Sequence, residues 1–136
     1  MILVIVEGPS NRGAVRAIRD RLRIHLIPRL MCGNNPGKAI RIIRSEILYE
    51  KKQYTKAVML KDLHEKSETS VLKHIQRVER SSKNLINFRG IIVRHAIEAW
   101  ILSDCEALSR YLNITVRQVN PESIVDPARY LKELFR

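Results

Sequence analysis

Met1-Ile2-Leu3-Val4-Ile5-Val6, running straight into Glu7-Gly8-Pro9-Ser10-Asn11, is the stretch that decides the fold. Six apolar residues with no polar alternation read as a strand buried on both faces, as in the centre of a parallel sheet. The five residues after it are a turn by composition. From 12 to 23 the pattern is helical, with Val15, Ile18 and Leu22 on one side. A buried strand feeding an amphipathic helix is the opening of a βα unit.

The same alternation continues outward. Residues 24–31 are apolar but interrupted by His25, Pro28 and Arg29, which suits an edge strand, because proline cannot donate to a central ladder. Asn34-Asn35-Pro36-Gly37 reads as a helix start with Asn35 as cap and Pro36 first in the helix, which should run to about residue 53. Residues 57–60 give a third buried strand, and 67–82 a long polar helix with Val71, Leu72, Ile75 and Val78 inward. A fourth strand over 88–93 and a fourth helix over 97–112 follow. Residues 113–136 form a looser C-terminal extension until Pro127 opens a short helix with Leu131, Leu134 and Phe135. The expectation is one α/β domain over 1–136, with a mainly parallel four-stranded sheet flanked by helices.

Length and composition agree. A chain of 136 residues suits one compact domain, and 45% hydrophobic with 29% charged residues is globular. Lysine and arginine number 25 against 14 acids, a formal +11, which favours a polyanionic partner: nucleic acid first, an anionic membrane surface second. Cys32 and Cys105 form no close-spaced pair, so reduced thiols in a cytoplasmic protein are the simplest expectation. No segment reaches the roughly 20 apolar residues of a membrane span. The apolar start is too short for a signal-peptide core.

Parallel sheets gather ligands at the carboxyl ends of their strands. Glu7 follows strand one, Asp62 follows strand three, and Glu98 lies just beyond strand four. Carboxylates grouped in a basic protein make physical sense if a divalent metal neutralises them, and Mg²⁺ takes oxygen ligands. Each taken alone is an ordinary loop or cap acid; the conjunction favours a site.

Val6-Glu7-Gly8-Pro9-Ser10-Asn11 resembles the first motif of Toprim domains, the fold shared by topoisomerases, bacterial-type primases and recombination-mediator or overcoming-lysogeny-type nucleases. Leu60-Lys61-Asp62-Leu63-His64-Glu65 resembles their second motif, normally two aspartates separated by one residue. Ile97-Glu98-Ala99-Trp100-Ile101-Leu102-Ser103-Asp104 is similar to the Glu-x-Trp-Leu-Leu-x-Asp segment of a small prokaryotic Toprim-like family. The resemblance implies a Toprim-like domain in which Glu7 moves a proton, Asp62 holds Mg²⁺ (or Mn²⁺), and Glu98 completes the metal shell. It also implies phosphodiester chemistry on DNA or RNA.

Two positions depart from the motif. His64 stands where the second aspartate is expected, and Asn11 where many relatives carry an acid. An imidazole ligand suits Mn²⁺ or Zn²⁺ better than Mg²⁺. His64 has two other readings, a general base or a helix cap, and Glu65 is a substitute carboxylate one position on. His95 is read as packing at a strand end.

Arg12, Arg16, Arg19 and Arg23 recur at helical spacing beside Glu7, a basic stripe fit for phosphates. Lys73, Arg77, Arg80 and Lys83 make a comparable row, although any amphipathic helix must put something polar outside. Aromatic residues, at 5%, give no stacking platform, and Trp100 reads as core. Gly33-Asn34-Asn35-Pro36-Gly37-Lys38 lacks P-loop spacing and reads as cap and turn. Two rival readings stand beside a nuclease: a catalytically degenerate nucleic-acid-binding module, and a protein-interaction subunit whose C-terminal helix docks on another chain or on a second copy as a homo-oligomer, with internal packing as the ordinary reading of that helix.

Overall fold

Strand β1 (Ile2–Val6) sits inside the sheet, as its composition requires, with Leu3, Val4, Ile5 and Val6 all buried. The computed structural model describes residues 1–33, 35–64, 66–94 and 96–135. Its four-stranded, all-parallel sheet has the order β2-β1-β3-β4, with helices flanking it in a Rossmann-like α/β arrangement. β2 (Leu26–Leu30) pairs with β1 in the register Val4 to Pro28. Its edge position is what lets a strand carry proline. β3 (Lys56–Asp62) lies on the other side of β1, in the register Ile5 to Met59. β4 (Phe88–Val93) closes the order.

Helix α1 (Pro9–Leu22) begins three residues before the apolar periodicity does. Pro9 takes the first helical position, and the Gly8 N–H donates to Asn11 Oδ1 at 3.2 Å. Asn11 is therefore a buried neutral acceptor that shapes the turn after β1. Helix α2 (Pro36–Arg44) starts on the Asn35 cap, whose side chain accepts from Gly37 N at 2.8 Å. α3 (Glu68–Ser82) starts on the Ser67 cap. Val71, Ile75 and Val78 of α3 are buried, whereas Leu72, expected inside, is exposed. α3 lies so close to β4 that a Cβ on Gly90 would collide with Ile75.

α1 leads from β1 to β2 in one direction across the sheet, and α2 leads from β2 to β3 in the other. Right-handed crossovers therefore put α1 on one face and α2, packed against α3, on the opposite face.

α2 does not run to residue 53 as an α-helix. Ser45–Tyr49 widens into a π-helix, with Glu50 N donating to Ser45 O at 2.9 Å. This turn carries Glu46, a buried carboxylate that accepts from Arg29 Nε at 2.6 Å, Tyr54 Oη at 2.6 Å and Lys52 Nζ at 3.1 Å. The three bonds pin the end of the helix to β2 and to the lead-in of β3.

By contact, Met1–Lys61 with Ser67–Ile92 makes one compact unit, and Asp62–Lys66 with Val93–Arg136 another. The second has its own core of Leu102, Leu108 and Val116, covered by Ile124, Tyr130, Leu131 and Leu134. The helix expected over 97–112 is two helices, α4 (Glu98–Leu102) and α5 (Cys105–Leu112). Asp104 breaks them apart by capping α5, accepting from Ala107 N at 2.9 Å. A 3₁₀ turn over Pro121–Ser123 and helix α6 (Pro127–Leu134), capped by Asp126, complete what the sequence presents as a loose extension. Among the described residues no helix is long and apolar enough to cross a membrane.

Burial pushes the Glu46 carboxyl up, but the bonds from Tyr54, Arg29 and Lys52 outweigh it and hold the pKa below its ordinary value. Tyr54 is pushed up to about 12, by burial and then by its bond to Glu46. A lowered folded-state pKa gives stability that is present above the unfolded carboxylate pKa and lost as pH falls through the folded one. Glu46→Gln should therefore cost about 1–3 kcal/mol at neutral pH. The deficit should shrink in acid, as followed by urea unfolding across pH.

Candidate functional site at the carboxyl ends of β1 and β3

Glu7 leaves the end of β1 at the turn into α1. Its Oε1 accepts from Lys61 Nζ at 2.7 Å. Lys61 is the next-to-last residue of β3 and is 1% exposed. A buried ammonium with no counter-charge costs several kcal/mol, so this pair is a requirement of the fold rather than a surface ornament. The parallel pairing of β1 with β3 brings the two ends level.

Asp62, the last residue of β3, is also buried. Leu63 N then donates to Val93 O at 2.9 Å, which fixes the chain as it leaves the strand. His64 follows in the left-handed region, with φ of 48°, and its side chain is half exposed. The turn brings His64 Nε2 to 3.8 Å from Asp62 Oδ2. Histidine is among the residues that enter this region more often than bulky or β-branched ones do.

Three of the residues expected at this edge come together. One ligand atom each from Glu7, Asp62 and His64 lies within 4.8 Å of the other two. Glu98 is outside that group; it is the first residue of α4. Glu65 and His95 lie outside the described residues, as does Asn34 of the expected cap-and-turn segment.

Two carboxylates and an imidazole within this span are a donor set a divalent cation can use. Mixed oxygen and nitrogen donors favour Mn²⁺ or Zn²⁺ over Mg²⁺. Lys61 is the residue that sequence reasoning missed. A lysine next to an aspartate at a strand end reads as an exposed pair, and only the parallel register shows that it must point at Glu7.

The basic residues are placed unevenly. Arg16 and Arg23 are exposed, Arg12 and Arg19 are half-buried, and Arg19 Nε pairs with Asp20 at 2.8 Å. Arg23 lies past the end of α1, in the left-handed region. On the opposite face Lys73, Arg77, Arg80 and Lys83 are all exposed, and α2 adds exposed Arg41 and Arg44, which periodicity alone did not single out.

Compared with protein-family models, with curated proteins and with solved structures, the chain finds no match.

The buried Lys61–Glu7 pair makes a direct prediction. Lys61→Met and Glu7→Gln should each lower stability, and the double variant should lose less than the sum. The expected coupling is about 1–3 kcal/mol in a double-mutant cycle read by denaturant unfolding. A coupling near zero would mean that the two side chains do not meet.

Proposed function

We propose that the protein carries out divalent-metal-dependent phosphodiester chemistry on nucleic acid, most simply hydrolysis. The observation that carries this reading is the convergence of Glu7, Asp62 and His64 at the sheet edge. The resemblance of the segments around Glu7 and Asp62 to Toprim motifs adds the roles. The formal charge of +11 supports a polyanionic substrate.

In this reading Asp62 and His64 hold the metal, with Glu7 beside them. A bound divalent ion would supply Lewis-acid polarisation of a phosphoryl oxygen and a water of lowered pKa. Glu7, held by Lys61, would take or return a proton at its carboxylate. Arg12 and Arg16 on α1, the helix that begins right after Glu7, would hold the adjoining phosphates, with Arg19 and Arg23 farther along. Such contacts position the backbone without reading its sequence.

Lys61 also favours a second reading. Its ammonium already balances Glu7. A chain that neutralises its acids internally can bind nucleic acid with no metal, as a module that does no chemistry.

Labelled single- and double-stranded DNA and RNA, incubated with Mg²⁺, Mn²⁺ or chelator, separate the two. The enzyme reading predicts cleavage stronger with Mn²⁺ than with Mg²⁺, and reduced about 100-fold or more in Asp62→Asn. No cleavage by a folded preparation, with salt-sensitive and metal-independent binding, would replace it with the second reading.

A further inference from the structure

The chain's charge is not shared between its two compact units. Of the 25 lysines and arginines, 18 lie in the unit that holds most of the sheet, with only six of the 14 acids, a formal +12. The C-terminal unit has seven basic residues against eight acids, a formal −1.

The nearly neutral unit bears an apolar groove of about 400 Å³. Trp100, Ile101, Leu108, Tyr111, Leu131 and Phe135 line it, from α4, α5, α6 and the residue after α6. Trp100, expected in the core, is 42% exposed, Tyr111 is 80% exposed and Phe135 is 56% exposed. Asp104 is the one charged side chain among the described lining residues, and it is engaged in capping α5. Large aromatic side chains gathered in a groove mark an interaction surface.

We propose that this groove is where a second copy of the chain docks. A nucleic-acid strand would need cations along the groove, and none of the described lining residues is one. Two copies of a +11 chain repel each other wherever their basic units meet. The −1 unit offers an apolar contact without that cost. A two-fold contact sets the same patch against itself. Tyr111 and Phe135, the most exposed of the groove's apolar side chains, are then the ones that meet the partner's groove. This inference does not depend on the proposed chemistry.

The chain's one tryptophan lies in the groove, so its emission reports occupancy. The test is a concentration series followed by light scattering after size exclusion and by Trp100 fluorescence. It uses the full chain, Tyr111→Glu, and Tyr49→Glu as a control equally exposed in the basic unit. The expected result is a mass rising towards twice 15.8 kDa with a blue shift of Trp100 emission. Tyr111→Glu should weaken association about tenfold or more, and Tyr49→Glu should leave it unchanged. A monomer at every concentration would overturn the proposal, as would a dimer indifferent to Tyr111→Glu. Trp100 emission that responds to a single-stranded oligonucleotide instead of to protein concentration would assign the groove to nucleic acid and overturn it equally.

Discussion

Lys61 must find a carboxylate, because its ammonium is buried at the end of an interior strand, and Glu7 meets it at 2.7 Å. Much of the site follows from that constraint. The pair ties the end of β1 to the end of β3, so the turn into α1 cannot shift without exposing or orphaning a charge. Asp62, the next residue along β3, is thereby held at the same edge, and the tight turn at His64 folds its imidazole back to within 3.8 Å of the Asp62 carboxylate. The sheet stores charge where its strands end, which is where parallel α/β proteins place ligands.

A second buried carboxylate has the opposite character. Glu46 accepts from Arg29, Lys52 and Tyr54 and is consumed by holding the π-helical end of α2 against β2. Its partners are all donors from its own fold. Glu7 also accepts from a donor of the fold, Lys61, but it sits with Asp62 and a histidine in a group compact enough to hold a cation. The carboxylates are thus not equivalent here: Glu46 serves only to clamp the fold, while Glu7 both ties two strand ends together through Lys61 and gathers with Asp62 at the sheet edge. The surface is divided as well. All the excess positive charge belongs to the unit that contains β1, whereas the C-terminal unit exposes aromatic side chains. One unit is strongly basic and the other carries the apolar groove.

Much of this was legible in the chain itself. Parallel strands buried on both faces leave uninterrupted apolar runs, so β1 and β3 could be read directly, and Pro28 marked β2 as an edge. The Asn35 cap with Pro36 announced α2, the apolar spacing over 67–82 announced α3, and Pro127 announced α6. The rest was hidden for physical reasons. Lys61 looks solvent-exposed until register shows what it faces. The apolar pattern continues unbroken through Ser103 and Asp104, although Asp104 caps a new helix there. Trp100 has apolar neighbours in sequence, yet it lies in a groove that opens outward. Burial against other elements, unlike periodicity along one element, is not encoded locally.

The measurement that bears most directly on the sheet-edge site is a titration of Mn²⁺ followed by the paramagnetic resonance of the free ion. It requires neither a substrate nor turnover. The account predicts loss of the free-ion signal at about one ion per chain, abolished in Asp62→Asn and weakened in His64→Ala. A signal that persists undiminished, or binding that survives both substitutions, would contradict it.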